Sequence, residues 1–240
     1  MKYVPSLEPC FSPMALKLKE FKEKGTVPFA ICVERNKGYR YRYDILVMPG
    51  KNAENEEMIE RLIKSILWVV GGYKIYLGGN DELVKAMQEV FSTNGSRKFD
   101  VDFMANVYDK PFEVIGCAYE EVPTSVEASL PAGGNLDGCR IGFDAGGSDR
   151  KVSAVIDGKV VYSEEVVWFP KVNSDPEYHY AGILDSFKRA ASKMPRVDAI
   201  GVSSAGIYID NEVRVASLFI KVNPDDFNRV VRKMYINCAK

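Results

Sequence analysis

The sequence predicts an α/β protein of two domains, and three observations carry that expectation. The stretch from Gly138 to Glu165 reads as three consecutive β-strands. On either side of it, apolar residues at helical spacing alternate with short strand-like runs. Between the halves, Glu120 to Gly138 (EEVPTSVEASLPAGGNLDG) is rich in Pro, Gly, Ser and Glu, the composition of a linker. It places a boundary near residue 135 and gives domains 1–135 and 136–240.

The first domain opens with a helix over Pro13 to Lys24. Met14, Leu16, Leu18 and Phe21 are its apolar residues, its charged residues form a solvated face, and Gly25 ends it. Phe29–Val33 and Tyr39–Met48 read as strands around Asn36-Lys37-Gly38. The second strand interleaves Tyr39, Tyr41 and Tyr43 with Arg40, Arg42 and Asp44. Tyr and Arg in alternation can stack nucleic-acid bases, but a half-exposed antiparallel strand with aromatic cross-strand pairs explains the same pattern. Pro49-Gly50 breaks it. Glu54–Val70 follows as an amphipathic helix, with Met58, Leu62, Ile66 and Val69 at helical spacing, acids in its first turn and Gly71-Gly72 at its end. Lys74–Leu77 is a short strand, Gly78-Gly79-Asn80 a turn, and Asp81–Phe91 a helix turning Leu83, Val84, Met87 and Phe91 inward. A short helix over Phe99–Tyr108 and a strand over Phe112–Cys117 complete the domain.

In the second domain Ile141–Asp144 runs into the turn Ala145-Gly146-Gly147-Ser148. Lys151–Ile156 is the next strand, and Asp157-Gly158 is the dipeptide that favours a type I′ hairpin, whose two central residues need positive φ. Val160–Val167 is the third strand. Tyr178–Lys193 is a helix with Ile183, Leu184, Phe187, Ala190 and Ala191 on one face, and Pro195 follows its end. Val197–Val202 is a strand continuing into Ser203-Ser204-Ala205-Gly206. Ile207–Ile209 and Glu212–Val215 form a hairpin about Asp210-Asn211. Pro224–Ala239 is a final helix, started by the cap Asn223-Pro224-Asp225-Asp226.

Composition narrows the function classes. With 32 basic and 33 acidic residues the net charge is −1, which indicates neither a nucleic-acid surface nor an anionic membrane as partner. Apolar runs such as Ser65–Val70 are too short to span a bilayer, and the N-terminus MKYVPSLEPCF lacks the pattern of a signal peptide. The five cysteines include no CxxC pair, so neither zinc nor a disulfide framework is indicated, and a reduced cytoplasmic setting is expected. His179 is the only histidine, and its place at a helix start is more often structural than catalytic. No Walker A loop, Rossmann fingerprint or Ser/Cys nucleophile setting is present.

The chemistry-bearing stretch is Asp144-Ala145-Gly146-Gly147-Ser148-Asp149. A carboxylate at a strand end, beside a turn whose N–H groups no side chain shields, is the material of a phosphate or metal-phosphate site. The same residues also make an ordinary hairpin connection. DAGGSD resembles the first phosphate motif, DxGGT, of the actin-like ATPase superfamily, and within it the ROK family of sugar kinases and repressors. AIGVSSAGIY (Ala199–Tyr208) resembles the strand-to-glycine turn that this family often writes as GVPG. The resemblance covers residues 139–240 and implies one ribonuclease H-like lobe: three antiparallel strands, a crossover helix and a further strand, preceded by a second α/β domain. It implies Mg²⁺-ATP as cofactor, with Asp144 holding Mg²⁺ through water and Gly146, Gly147 and Ser148 lining the phosphates. Ser204 and Gly206 would face the cleft.

The sequence departs from that pattern at Ser148, where Thr is usual, and at Asp149, where a basic residue is usual. An added negative charge there weakens anion binding. The family's catalytic Asp and its zinc motif have no counterpart here. Two functional expectations follow: ATP-dependent phosphoryl transfer to a sugar, or a non-catalytic nucleotide- or sugar-binding assembly module that keeps the fold. An open lobe would also expose apolar surface, which makes a homodimer an expected partner state. One further arrangement would make the first domain a degenerate second lobe, with Gly78 and Gly79 as an adenosine-binding turn.

Overall fold

The computed structural model describes residues 4–9, 11–129 and 133–240. The chain divides into two compact units, Met1–Leu130 and Pro131–Lys240.

In the first unit α1 (Met14–Lys24) precedes a hairpin of β1 (Val27–Glu34) and β2 (Arg40–Val47). Then follow α2 (Asn52–Val70), β3 (Lys74–Gly78), α3 (Asp81–Val90), α4 (Lys98–Tyr108) and β4 (Glu113–Cys117). The sheet order is β2-β1-β3-β4, with β1 antiparallel to both β2 and β3, and β4 parallel to β3. Residue size sets the faces of β1. Phe29, Ile31 and Val33 are fully buried in the cluster that includes Ile59, Ile63 and Leu67 of α2, while the small Ala30 and Cys32 pack with Val122.

Part of the expected linker is therefore structured. Val126 exchanges both backbone hydrogen bonds with Arg40 at 2.9 Å, and Arg42 donates to the Val122 carbonyl at 2.6 Å. Arg35 pairs with Glu127 at 2.6 Å. Of the arginines of the Tyr/Arg strand, Arg42 thus turns its side chain to intramolecular partners: it also bridges Asp44 at 2.8 Å and lies over the Tyr119 ring. Of the remaining linker stretch, residues 130–132 lie outside the described residues.

The second unit comprises β5 (Cys139–Ala145), β6 (Asp149–Ile156), β7 (Lys159–Val167), α5 (Pro176–Ala191) and β8 (Ala199–Ser204). After these come β9 (Ile207–Ile209), β10 (Glu212–Val215), α6 (Pro224–Arg229) and α7 (Met234–Cys238). Sheet order is β7-β6-β5-β8, antiparallel except for β5 with β8, which the α5 crossover makes parallel. This is the ribonuclease H-like arrangement expected from the sequence. Asp157 and Gly158 both have positive φ, 45° and 77°, as the I′ turn demands. Ile141, Phe143, Ala145, Val152 and Ala154 form a core with Ile183 and Phe187 of α5 and with Met234 and Tyr235 of α7.

In the first unit the strand after the hairpin pairs antiparallel with β1, whereas in the second β8 pairs parallel with β5. One expectation is corrected: the single C-terminal helix is broken, into α6, a 3₁₀ turn at Val231–Lys233, and α7. The β-branched pair Val230-Val231 sits at the break, which lets both Val231 and Met234 reach the core at 0% and 1% exposure.

Candidate phosphate-binding turn

Asp144 is the penultimate residue of β5 and lies exposed opposite Lys151 of β6 and Ser203 of β8. Its carboxylate makes no hydrogen bond or ion pair among the described residues. The turn beside it is fixed from below by Trp168, 3% exposed. Its indole Nε1 donates to the Gly146 carbonyl at 2.8 Å and its backbone N–H to the Ser148 carbonyl at 3.1 Å. With those carbonyls tied down, the N–H groups of Gly147 and Ser148 donate to no oxygen among the described residues.

Neither glycine has positive φ, and it is Gly146 that is needed for space, because the atom a Cβ there would meet belongs to the backbone. A Cβ on Gly146 would lie 2.6 Å from the Asp149 carbonyl, and one on Gly147 would lie 2.7 Å from Lys171 Nζ. The second contact reveals a residue that sequence reasoning missed: the Lys171 ammonium lies against the turn, and no hydrogen bond or ion pair among the described residues engages it. It arrives from the 3₁₀ turn Pro170–Val172, far enough along the chain that no motif spacing flagged it.

Asp149, the acidic departure from the family pattern, is neutralised locally. Lys151 Nζ lies 2.7 Å from its carboxylate and 3.9 Å from Glu165. The Lys151 hydrogen bond holds the Asp149 carboxyl below the usual carboxylate range, with a lesser contribution from the Ser148 hydroxyl. The expected penalty on anion binding is therefore reduced.

The second predicted turn is split by strand alternation. Because Asp144 registers with Ser203, it is Ser203, not Ser204, that shares its sheet face. That face forms a shallow depression of about 520 Å³ lined by Gly142, Asp144, Lys151, Ser153, Ser163 and Ser203, among others. Ser204 points to the helix side, where its Oγ accepts from Tyr208 Oη at 2.8 Å and from Tyr235 Oη at 3.3 Å. Gly206, at φ 149°, has a structural task, since a Cβ there would strike the Val215 carbonyl. Gly78 and Gly79 belong to the first unit and are also explained by packing. A Cβ on Gly78 would lie 2.7 Å from Val122 Cγ2, and one on Gly79 would strike the Pro28 carbonyl; Asn80 then caps α3.

His179 is wholly buried, its ring nitrogens 3.0–3.1 Å from the carbonyls of Asp175, Pro170 and Leu218. It fastens two 3₁₀ turns to α5. Among the described residues no group of three or more His, Cys, Asp or Glu side chains could hold a metal. Mg²⁺ bound through phosphate and water needs no such cage, so the single carboxylate of Asp144 fits that mode.

No protein-family model and no curated protein matches the chain. Among solved structures, it resembles an exopolyphosphatase from Cytophaga hutchinsonii at 14% identity and a TM-score of 0.22, over 75% of this chain and 64% of that one. A PPX-GPPA enzyme from Aquifex aeolicus is 13% identical at a TM-score of 0.19, over 74% and 64%. A Pseudomonas aeruginosa protein with similarity to peptidase YEAZ is 12% identical at 0.23, over 88% and 93%. The chain thus spans 64% of the length of each of the first two. Superpositions this loose establish neither a family nor an activity. No helix among the described residues is long and apolar enough to cross a membrane.

Proposed function

We propose that the second unit binds the phosphates of a Mg²⁺-nucleotide at the Gly146–Ser148 turn, in the manner of an actin-like ATPase lobe. The observation that carries this reading is the combination, at one turn, of groups that make no hydrogen bond or ion pair among the described residues. An open carboxylate (Asp144), an open ammonium (Lys171) and two undonated N–H groups (Gly147, Ser148) meet there. Anionic phosphate oxygens suit the amides and the ammonium, and a water-bridged Mg²⁺ suits the carboxylate. The ROK resemblance extends the reading to a sugar as phosphoryl acceptor and to cytoplasmic phosphoryl transfer from ATP.

A second reading, binding without turnover, is favoured by the engagement of the neighbouring carboxylates. Asp149 and Glu165 are both within ion-pair reach of Lys151 rather than poised to take a hydroxyl proton. Calorimetric titration with Mg²⁺-ATP and Mg²⁺-ADP tests the binding common to both. We expect saturable heat that Asp144→Asn removes; no heat at millimolar nucleotide would sink both readings. A phosphorylation screen against hexoses and amino sugars then separates transfer from binding alone.

A further inference from the structure

Sheet edges expose unpaired backbone groups, and proteins protect them with charges, bulges or coverings. Three of the four edges of the two four-stranded sheets are protected in this way. β7 carries Lys159, Glu164 and Glu165, β4 carries Glu113, and β2 carries Arg40, Arg42 and Asp44 and is capped by the bridge to Val126. The fourth edge, β8, reads Ala199-Ile200-Gly201-Val202-Ser203-Ser204. It has no charge, no proline and no register shift, and Val202 is 40% exposed.

Beside this edge, on the helix side, runs a cavity of about 340 Å³ lined by Ile200, Val202, Ser204, Tyr208, Tyr235 and Ile236, among others. A strand added to β8 would place every second side chain over that cavity. β8 itself presents Ile200 and Val202 at this spacing on this face, so the strand and the cavity are complementary parts of one surface. We propose that β8 is a self-association edge, at which two copies of this chain pair antiparallel about a two-fold axis and each sets apolar side chains over the other's cavity. A two-fold contact brings residues close to their own counterparts, so any charge would meet its like. Of the four edges, only β8 is free of that penalty.

The test is the mass of the full chain by light scattering across the micromolar range, with Val202→Glu and Val202→Lys as separate variants and as an equimolar mixture. We expect a dimer for the unaltered chain, monomers for each variant and a dimer again for the mixture, because Glu then faces Lys. Thermal unfolding checks that the variants fold. Should either fail to fold, hydrogen exchange on the unaltered chain decides, with residues 199–204 exchanging more slowly as concentration rises. A monomer at every concentration overturns the proposal and leaves the edge to a strand of another source. So does a dimer whose mass neither folded variant changes, a mixture that stays monomeric, or exchange at 199–204 that ignores concentration.

Discussion

Lys171 and Asp144 stand beside one turn with opposite charges, and among the described residues neither is held in a hydrogen bond or ion pair. A bound phosphate would engage Lys171 directly. Lys171→Ala should therefore weaken Mg²⁺-ADP binding by about tenfold, the effect of losing roughly 1.5 kcal/mol from one charged hydrogen bond. Equal affinities by calorimetry would remove Lys171 from the site. Lys151 acts one step further out: Lys151→Ala should also weaken binding, because Asp149 would then face the phosphates uncompensated. Thiol chemistry offers an independent check on burial. Burial pushes the Cys32 thiol up to about 11 and the Cys238 thiol up to about 12. At pH 8 only about a thousandth of Cys32 would be thiolate. Iodoacetamide at that pH should leave both unlabelled in the native chain and label both in urea; mass spectrometry showing native labelling of Cys32 would contradict the buried β1 face. The sign runs the same way for stability: both thiols favour the folded state while protonated, and that contribution falls as pH rises from about 9 towards 11 and 12.

At the scale of elements, the β5–β6 turn depends on Gly146. A Cβ there meets the Asp149 carbonyl, a backbone atom that cannot swing aside. Gly146→Ala should cost about 1–3 kcal/mol of stability in the second unit, read by urea unfolding, and should impair nucleotide binding with it. An unchanged midpoint would mean that the turn relaxes freely. This turn was legible in the sequence because its signals are local: Asp at a strand end, paired glycines, and an Asp157-Gly158 hairpin one strand later. Lys171 was not, because only the fold carries it from beyond β7 to Gly147. The sheet face of Ser204 is hidden in the sequence for a related reason. The chain shows two adjacent serines, but which of them faces Asp144 depends on the β5–β8 register, and register is a tertiary property. The stretch after Glu120 was composed like a linker, yet Arg40 and Arg42 hold part of it by backbone and side-chain bonds. Composition reports on the segment and not on the strand that receives it.

The whole molecule has two principal cores, each closed within its own unit. Phe29, Ile31, Ile59, Ile63 and Leu77 anchor the first, and Ile141, Ile183, Leu218 and Phe219 the second. Each unit is of the size at which a single core can support cooperative folding. Denaturation of the full chain should then show two transitions rather than one. Phe219 is 2% exposed and packs with its ring 5.0 Å from that of His179. Phe219→Ala should remove about 3–5 kcal/mol from the second unit and leave the transition of the first where it was. Phe29→Ala, at a fully buried site of β1, should do the reverse. Separate mutant scans by circular dichroism would resolve the two shifts. A single transition moved by both substitutions would show that the units fold as one body, and the autonomy that each core implies would be wrong. Two independent transitions would also make nucleotide a selective probe: Mg²⁺-ADP should raise the transition that Phe219→Ala lowers and leave the other unmoved, because a ligand stabilises only the unit that binds it.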